Sequence, residues 1–219
     1  MTSNVRDLNR LNSANVLSIA EALEARRLLD ASCDDVPNPG GGGTHKELRI
    51  EGTAFNDTID VRSLFGLEGR LNGGAWVACA NATLIRIRGM DGADTIGVGN
   101  GITIKAIIGG DEGGDSIVGG DGDDEINGDA GVDWIFGGAG NDLINGGADA
   151  DHLHGDDGSD TLIGGSGHDY MWGELGDDYF SAQDGELDEI YGGDGYDTVS
   201  SYDHTDPQDV LSSIESGTD

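Results

Sequence analysis

A nine-residue period runs without a gap from residue 110 to residue 181 and constrains the fold more than any other feature of the chain. Eight consecutive units begin at Gly110, Gly119, Gly128, Gly137, Gly146, Gly155, Gly164 and Gly173. Gly also stands at position 4 of seven units, Asp149 being the exception. Position 6 is Asp throughout: Asp115, Asp124, Asp133, Asp142, Asp151, Asp160, Asp169 and Asp178. Position 8 is always apolar: Ile117, Ile126, Ile135, Ile144, Leu153, Leu162, Met171 and Phe180. After a one-residue slip, 183–191 keeps Asp188 and Ile190, and 192–200 restores the pattern with Asp197 and Val199.

One inward apolar residue in nine cannot build a core alone, but stacked copies make a continuous one. Gly at positions 1 and 4 allows a tight turn. Positions 7–9 then form a short strand with position 8 inside and positions 7 and 9 outside. If the turns alternate between two sides, one coil takes two units and equivalent loops lie eighteen residues apart. Loops on one side carry Asp115, Asp133, Asp151 and Asp169; the other side carries Asp124, Asp142, Asp160 and Asp178. Coils sit about 4.8 Å apart, so carboxylates on neighbouring coils repel unless a cation lies between them.

The charge points the same way. The 219 residues include 43 Asp and Glu against 11 Lys and Arg, a net charge of −32, which excludes nucleic-acid binding through phosphate contacts. Every Lys and Arg lies at or before Lys105, so residues 106–219 must recruit cations from solution or stay expanded. Carboxylates and turn carbonyls are oxygen donors, which suit Ca²⁺. With 40 Gly and 5% aromatic residues, a conventional core over the whole length is excluded. There is no apolar run long enough for a transmembrane helix and no signal-peptide-like stretch at the N-terminus. Cys33 and Cys79 read as free thiols, with a single bridge as the lesser alternative.

The units GGDGDDEIN (119–127) and GGAGNDLIN (137–145) resemble the haemolysin-type RTX calcium-binding repeat. The resemblance implies an all-β fold, a right-handed parallel β-roll. It also implies Ca²⁺ held by one loop's position 2 and 4 carbonyls and Asp, and by the position 1 and 3 carbonyls and Asp eighteen residues on. Carried over, the first site takes Asp111, Gly113, Asp115, Gly128, Ala130 and Asp133, and the next on that side Asp129, Gly131, Asp133, Gly146, Ala148 and Asp151. The third there takes Gly147, Asp149, Asp151, Gly164, Ser166 and Asp169. On the other side the sets are Gly120, Gly122, Asp124, Gly137, Ala139 and Asp142, then Gly138, Gly140, Asp142, Gly155, Asp157 and Asp160. Asp156, Gly158, Asp160, Gly173, Leu175 and Asp178 complete it. The expectation is about six ions, or eight if Asp188 and Asp197 take part. Asp111, Asp129, Asp156 and Glu174 replace Gly at position 2, which threatens the turn torsion but keeps the carbonyl.

Upstream, GTAFNDTID (52–60) and GMDGADTIG (89–97) are isolated copies containing Asp57 and Asp94, neither with a partner eighteen residues away. The alternating runs at 48–52, 82–89 and 101–108 read as strands in longer coils that cap the roll. The expected organisation is a helical segment at 1–31, a flexible linker at 32–45, an irregular β-coil cap at 46–109, the roll at 110–200 and a C-terminal cap at 201–219. The helix is read from the amphipathic spacing of Val16, Ile19, Ala20, Leu23 and Arg27. Its LEARRLLDA (23–31) is similar to the LEPR-x-LL segment of bacterial surface proteins, with Ala25 in place of Pro.

The coil predicts a stripe on one face, Trp134, Phe136, His152, His154, Tyr170 and Trp172, either a ladder that strengthens the sheet or a binding face for a glycan or partner protein. His152 and His154 alone would make a weak transition-metal site. Three functional classes follow: a non-catalytic, calcium-folded module of a secreted or surface bacterial protein, an adhesin, or a remnant of a secreted RTX enzyme. The enzyme class lacks HExxH and GxSxG. The family resemblance implies an extracellular location by type I-like export, and a monomer is expected.

Overall fold

A computed structural model of the protein describes residues 30–37, 44–63, 67–73, 77–182, 185–200 and 210–214. All regular elements among them are strands. The first eight are β1 (Asp30–Pro37), β2 (Thr44–Glu51), β3 (Thr58–Ser63), β4 (Leu67–Leu71), β5 (Val77–Cys79), β6 (Ala82–Asp91), β7 (Thr95–Val98) and β8 (Ala106–Glu112). In the repeat region follow β9 (Ser116–Gly120), β10 (Glu125–Ala130), β11 (Trp134–Ala139), β12 (Leu143–Ala148), β13 (His152–Asp157), β14 (Thr161–Ser166), β15 (Tyr170–Leu175) and β16 (Tyr179–Ser181). β17 (Glu189–Asp194), β18 (Thr198–Val199) and β19 (Val210–Ser212) close the C-terminal end.

From β5 onward successive strands alternate between two sheets, as a two-unit coil requires. One sheet runs β1-β2-β6-β8-β10-β12-β14-β16-β18 and the other β19-β17-β15-β13-β11-β9-β7-β3-β4-β5. Within the roll the pairing is parallel, in register at eighteen residues from β8 to β16, with Ile126 beside Ile144 and Ile135 beside Leu153, and at nineteen after the slip, with Tyr170 beside Glu189. The position 8 side chains are almost wholly buried between the sheets. Each contributes about 1.5–3 kcal/mol by leaving water. The strands run past position 9 into the next unit, so they are longer than the three residues expected. At position 2, Asp111, Asp129, Asp156 and Glu174 all adopt positive φ, between 70 and 75°, so the turn is kept without Gly. The left-handed torsion costs about 1–2 kcal/mol at each.

The cap has longer coils, as expected. β3 pairs with β7 at a step of 37 residues, Thr58 beside Thr95, and β7 with β9 at a step of 21, Thr95 beside Ser116. The extra length is an antiparallel meander, β3-β4-β5, hung on the edge of one sheet. The other sheet ends in an antiparallel pair, β1 with β2. This corrects two expectations. Residues 32–37 and 44–45 are not linker and 30–31 not helix, because β1 pairs along its whole length with β2, from Asp30 opposite Glu51 to Pro37 opposite Thr44. Nor are the cysteines free: Cys33 on β1 and Cys79 on β5 form a disulfide that joins the edge strands of both sheets. The rest of the expected helix and of its LEPR-x-LL-like segment lies outside the described residues. Among the described residues no helix is long and apolar enough to cross a membrane.

Candidate metal centre

The position 6 aspartates form two ladders, one along each edge of the roll. On the first, the Asp115 N–H donates to Asp133 Oδ1 at 2.7 Å, Asp133 N–H to Asp151 Oδ1 at 2.9 Å, and Asp151 N–H to Asp169 Oδ1 at 2.9 Å. Asp169 continues it to Asp188 at 2.8 Å. On the second, Asp124 donates to Asp142, Asp142 to Asp160, Asp160 to Asp178 and Asp178 to Asp197, at 2.7–3.0 Å. The backbone returns a bond along the same step: the Asp115 carbonyl accepts the Trp134 N–H at 2.8 Å, and the Asp133 carbonyl that of His152 at 2.8 Å. Each carboxylate therefore has one oxygen fixed by the preceding coil.

The second oxygen is treated differently. Oδ2 of Asp115, Asp124, Asp133, Asp142, Asp151, Asp160, Asp178 and Asp197 is buried and has no hydrogen-bond partner. A buried anionic oxygen with no donor is costly, and nature tolerates it where a cation or proton completes it. A backbone carbonyl lies beside each one. A Cβ added at Gly128 would overlap Asp133 Oδ2 and come within 2.5 Å of the Gly146 carbonyl oxygen. The same pair of oxygens crowds Gly110 (Asp115 Oδ2 and the Gly128 carbonyl) and Gly146 (Asp151 Oδ2 and the Gly164 carbonyl). On the other edge it crowds Gly137, Gly155 and Gly173 in the same way. Only a residue without a side chain leaves this oxygen-lined space open.

These are the position 6 carboxylate and the position 1 carbonyl of the next coil, which the repeat scheme places in one site. The position 3 carbonyls of Ala130, Ala148, Asp157 and Leu175 each accept the N–H of the position 4 glycine one coil earlier. A carbonyl has two lone pairs, so each keeps one for a cation. Among the described residues no three His, Cys, Asp or Glu side chains converge on one point. The donor set is paired carboxylates plus carbonyls, which fits a hard cation of high coordination number. His152 and His154 gain no third ligand.

Burial raises the carboxyl pKa values from the ordinary 3.8. Asp115, Asp133, Asp142 and Asp178 rise to about 6, Asp124 and Asp160 to about 7, and Asp151 to about 8. In every case loss of hydration is the largest cause, opposed by the hydrogen bond from the preceding coil. Without a cation, these carboxylates give up their protons only between about pH 6 and pH 8, Asp151 last.

Comparison with known families agrees with the geometry. Residues 109–144, 145–180 and 187–206 match the model of the RTX calcium-binding nonapeptide repeat. These segments are RTX calcium-binding repeats. No curated protein and no solved structure matched the chain. The RTX roll thus includes the displaced units of Asp188 and Asp197, which join their ladders at a step of nineteen residues. Two members of the first ladder were not assigned from the sequence: Asp57 N–H donates to Asp94 Oδ1 at 2.6 Å, and Asp94 N–H to Asp115 Oδ1 at 2.7 Å. A search by coil instead of by eighteen residues would have found them.

The aromatic stripe lies on the β9-β11-β13-β15 sheet as expected. Its rings stack on one another along the roll: Trp134 on His152 at 4.0 Å, His152 on Tyr170 at 4.8 Å, Phe136 on His154 at 4.6 Å and His154 on Trp172 at 4.5 Å. The ring faces are thereby used within the stripe. Trp134 and Phe136 begin the two columns, each with one ring partner among the described residues, and Trp134 is 48% exposed.

Proposed function

We propose that the RTX roll is a non-catalytic, calcium-dependent folding module of a secreted or surface bacterial protein. Ca²⁺ enters between successive aspartates of each ladder, supplying the counter-charge that the chain lacks after Lys105. Six ions match the pairs Asp115/Asp133, Asp133/Asp151, Asp151/Asp169, Asp124/Asp142, Asp142/Asp160 and Asp160/Asp178. Asp169/Asp188 and Asp178/Asp197 bring the number to eight. The observation that carries this reading is the row of buried Oδ2 atoms without a donor, each beside a backbone carbonyl.

The Cys33–Cys79 disulfide supports an extracellular setting, since such bridges persist in oxidising compartments. Catalysis finds no support in the ladder carboxylates, because each already has a place in a cation site. The stacked stripe supports the sheet more than it offers a binding face. An adhesive role through a glycan or partner protein would fall to the edge of the stripe and to Trp134.

The test is far-UV circular dichroism of chelated protein at pH 7.5 during a Ca²⁺ titration, with ions counted by calorimetry. A coil-to-β transition at roughly 10⁻⁴–10⁻³ M, the range of extracellular calcium modules, supports the reading. A roll that is fully β without calcium at that pH, or a chain that stays unfolded with it, refutes it.

A further inference from the structure

The first ladder extends beyond the repeats into the cap, and its last two members differ sharply. Asp94 is 2% exposed, its Oδ1 accepts the Asp57 N–H, and its Oδ2 has no hydrogen-bond partner. A Cβ at Gly89 would overlap that oxygen and come within 2.6 Å of the Gly110 carbonyl oxygen. This is the same open, oxygen-lined space that recurs at Gly110, Gly128 and Gly146 in the roll. Three further carboxylates, Asp115, Asp57 and Asp111, lie close enough to repel the Asp94 charge.

Asp57 is 3% exposed, yet both of its oxygens are satisfied within the protein. Oδ2 accepts the Thr53 N–H and, at 3.0 Å, the Thr53 hydroxyl; Oδ1 accepts the Asn72 amide at 2.5 Å. Asn72 follows the end of β4, so the cap's meander delivers this donor. Three neutral donors thus satisfy both oxygens of the Asp57 carboxylate without a metal.

Resting on the calcium reading of the ladders, we infer that the chain has a further divalent-cation site between Asp94 and Asp115, twenty-one residues apart and starting upstream of the matched repeats. Asp57 is not a ligand but a metal-free end-stop that closes the ladder. The step length is irrelevant to the site. What matters is that parallel pairing of Thr95 with Ser116 sets the two loops side by side, as it sets Ser116 beside Trp134 in the roll.

The test counts ions on the full chain by native mass spectrometry in Ca²⁺, with far-UV circular dichroism confirming the fold. Asp94→Asn, which keeps the Oδ1 acceptor, is expected to bind one ion fewer than wild type. Gly89→Ala, which fills the space and leaves the carboxylate intact, is expected to lose the same ion. Asp57→Asn is expected to retain the full count. An unchanged count in folded Asp94→Asn overturns the site, and loss of an ion in Asp57→Asn overturns the end-stop. If wild type binds no calcium, the folding-module reading falls as well, which separates the two failures.

Discussion

Replacing Asp151 by Asn should stabilise the calcium-free chain and weaken the calcium-bound one. Asp151 is fully buried, its Oδ1 accepts the Asp133 N–H at 2.9 Å, and its Oδ2 has no donor. Asn keeps the shape and the Oδ1 acceptor, and its amide replaces the oxygen that lies beside the Gly164 carbonyl. Burial lifts the Asp151 carboxyl from 3.8 to about 8. At pH 7.5 the unfolded chain has this group ionised and the calcium-free fold has it protonated, a penalty of up to about 5 kcal/mol at about 1.4 kcal/mol per unit. Relief of one buried, donor-free polar atom alone is worth about 1–3 kcal/mol. The expected gain in EDTA is thus about 2–5 kcal/mol, read from the lower concentration of the excluded osmolyte TMAO needed to fold the chelated variant, followed by circular dichroism. At pH 4 the gain should vanish, since Asp151 is then protonated in the fold without penalty. In millimolar Ca²⁺ the sign should reverse, because Asp151 belongs to the pairs with both Asp133 and Asp169. At least a tenfold loss of affinity at each of two sites is expected, about 1.4 kcal/mol apiece. A variant less stable than wild type in EDTA at pH 7.5, or a gain that persists at pH 4, would refute the ionisation argument. Unchanged calcium binding would refute the sharing of Asp151 between sites.

The calcium-free roll as a whole should lose stability as pH rises. Its carboxyls at about 6 to 8 bind more protons folded than unfolded, so stability is greatest at about pH 4 and below, falls above that by about 1.4 kcal/mol per group per pH unit, and levels off as each group passes its folded value at about 6 to 8. Circular dichroism in EDTA, more β-rich at pH 5 than at pH 8, checks this, and calorimetry should register protons released on Ca²⁺ binding at pH 6.5. Gly128→Ala should cost about 1–3 kcal/mol and lower calcium affinity, since its methyl group meets Asp133 Oδ2 and the Gly146 carbonyl. Denaturation with and without Ca²⁺ measures both effects. Reducing the Cys33–Cys79 bridge, which spans 46 residues, should destabilise the cap by about 2–4 kcal/mol. Hydrogen exchange should locate the loss in β1 to β5, leaving β10 to β15 little changed.

The roll was legible because its period does three jobs at once. Nine residues place Ile126 and Ile144 inside, eighteen set the register, and the alternation of sheets sorts Trp134 and His152 onto one face. The cap was not legible in the same way. The β3-β4-β5 meander stretches the step from Asp57 to Asp94 to 37 residues, so the two aspartates look unrelated along the chain although Asp57 bonds Asp94 in space. The β1–β2 pair was hidden by a polar, Pro-containing segment whose partner lies across a run of Gly, and such composition reads as linker. The disulfide was hidden for the same reason. Cys33 sits on that segment, and its partner, Cys79, is on an edge strand of the opposite sheet.

The direction of the aspartate bonds has a consequence for how the protein responds to its surroundings. Each interior carboxylate is held by the coil before it and shared with the coil after it, so filling one position prepares its neighbour. Uptake should spread like a row of falling dominoes and rise more steeply with calcium than independent sites would. The row has a fixed starting block: one end is locked by Thr53 and Asn72 on Asp57, the other ladder starts at Ala106 next to Lys105, and both lie toward the stapled end of the molecule. A chain built this way zips from one end and comes apart from the other.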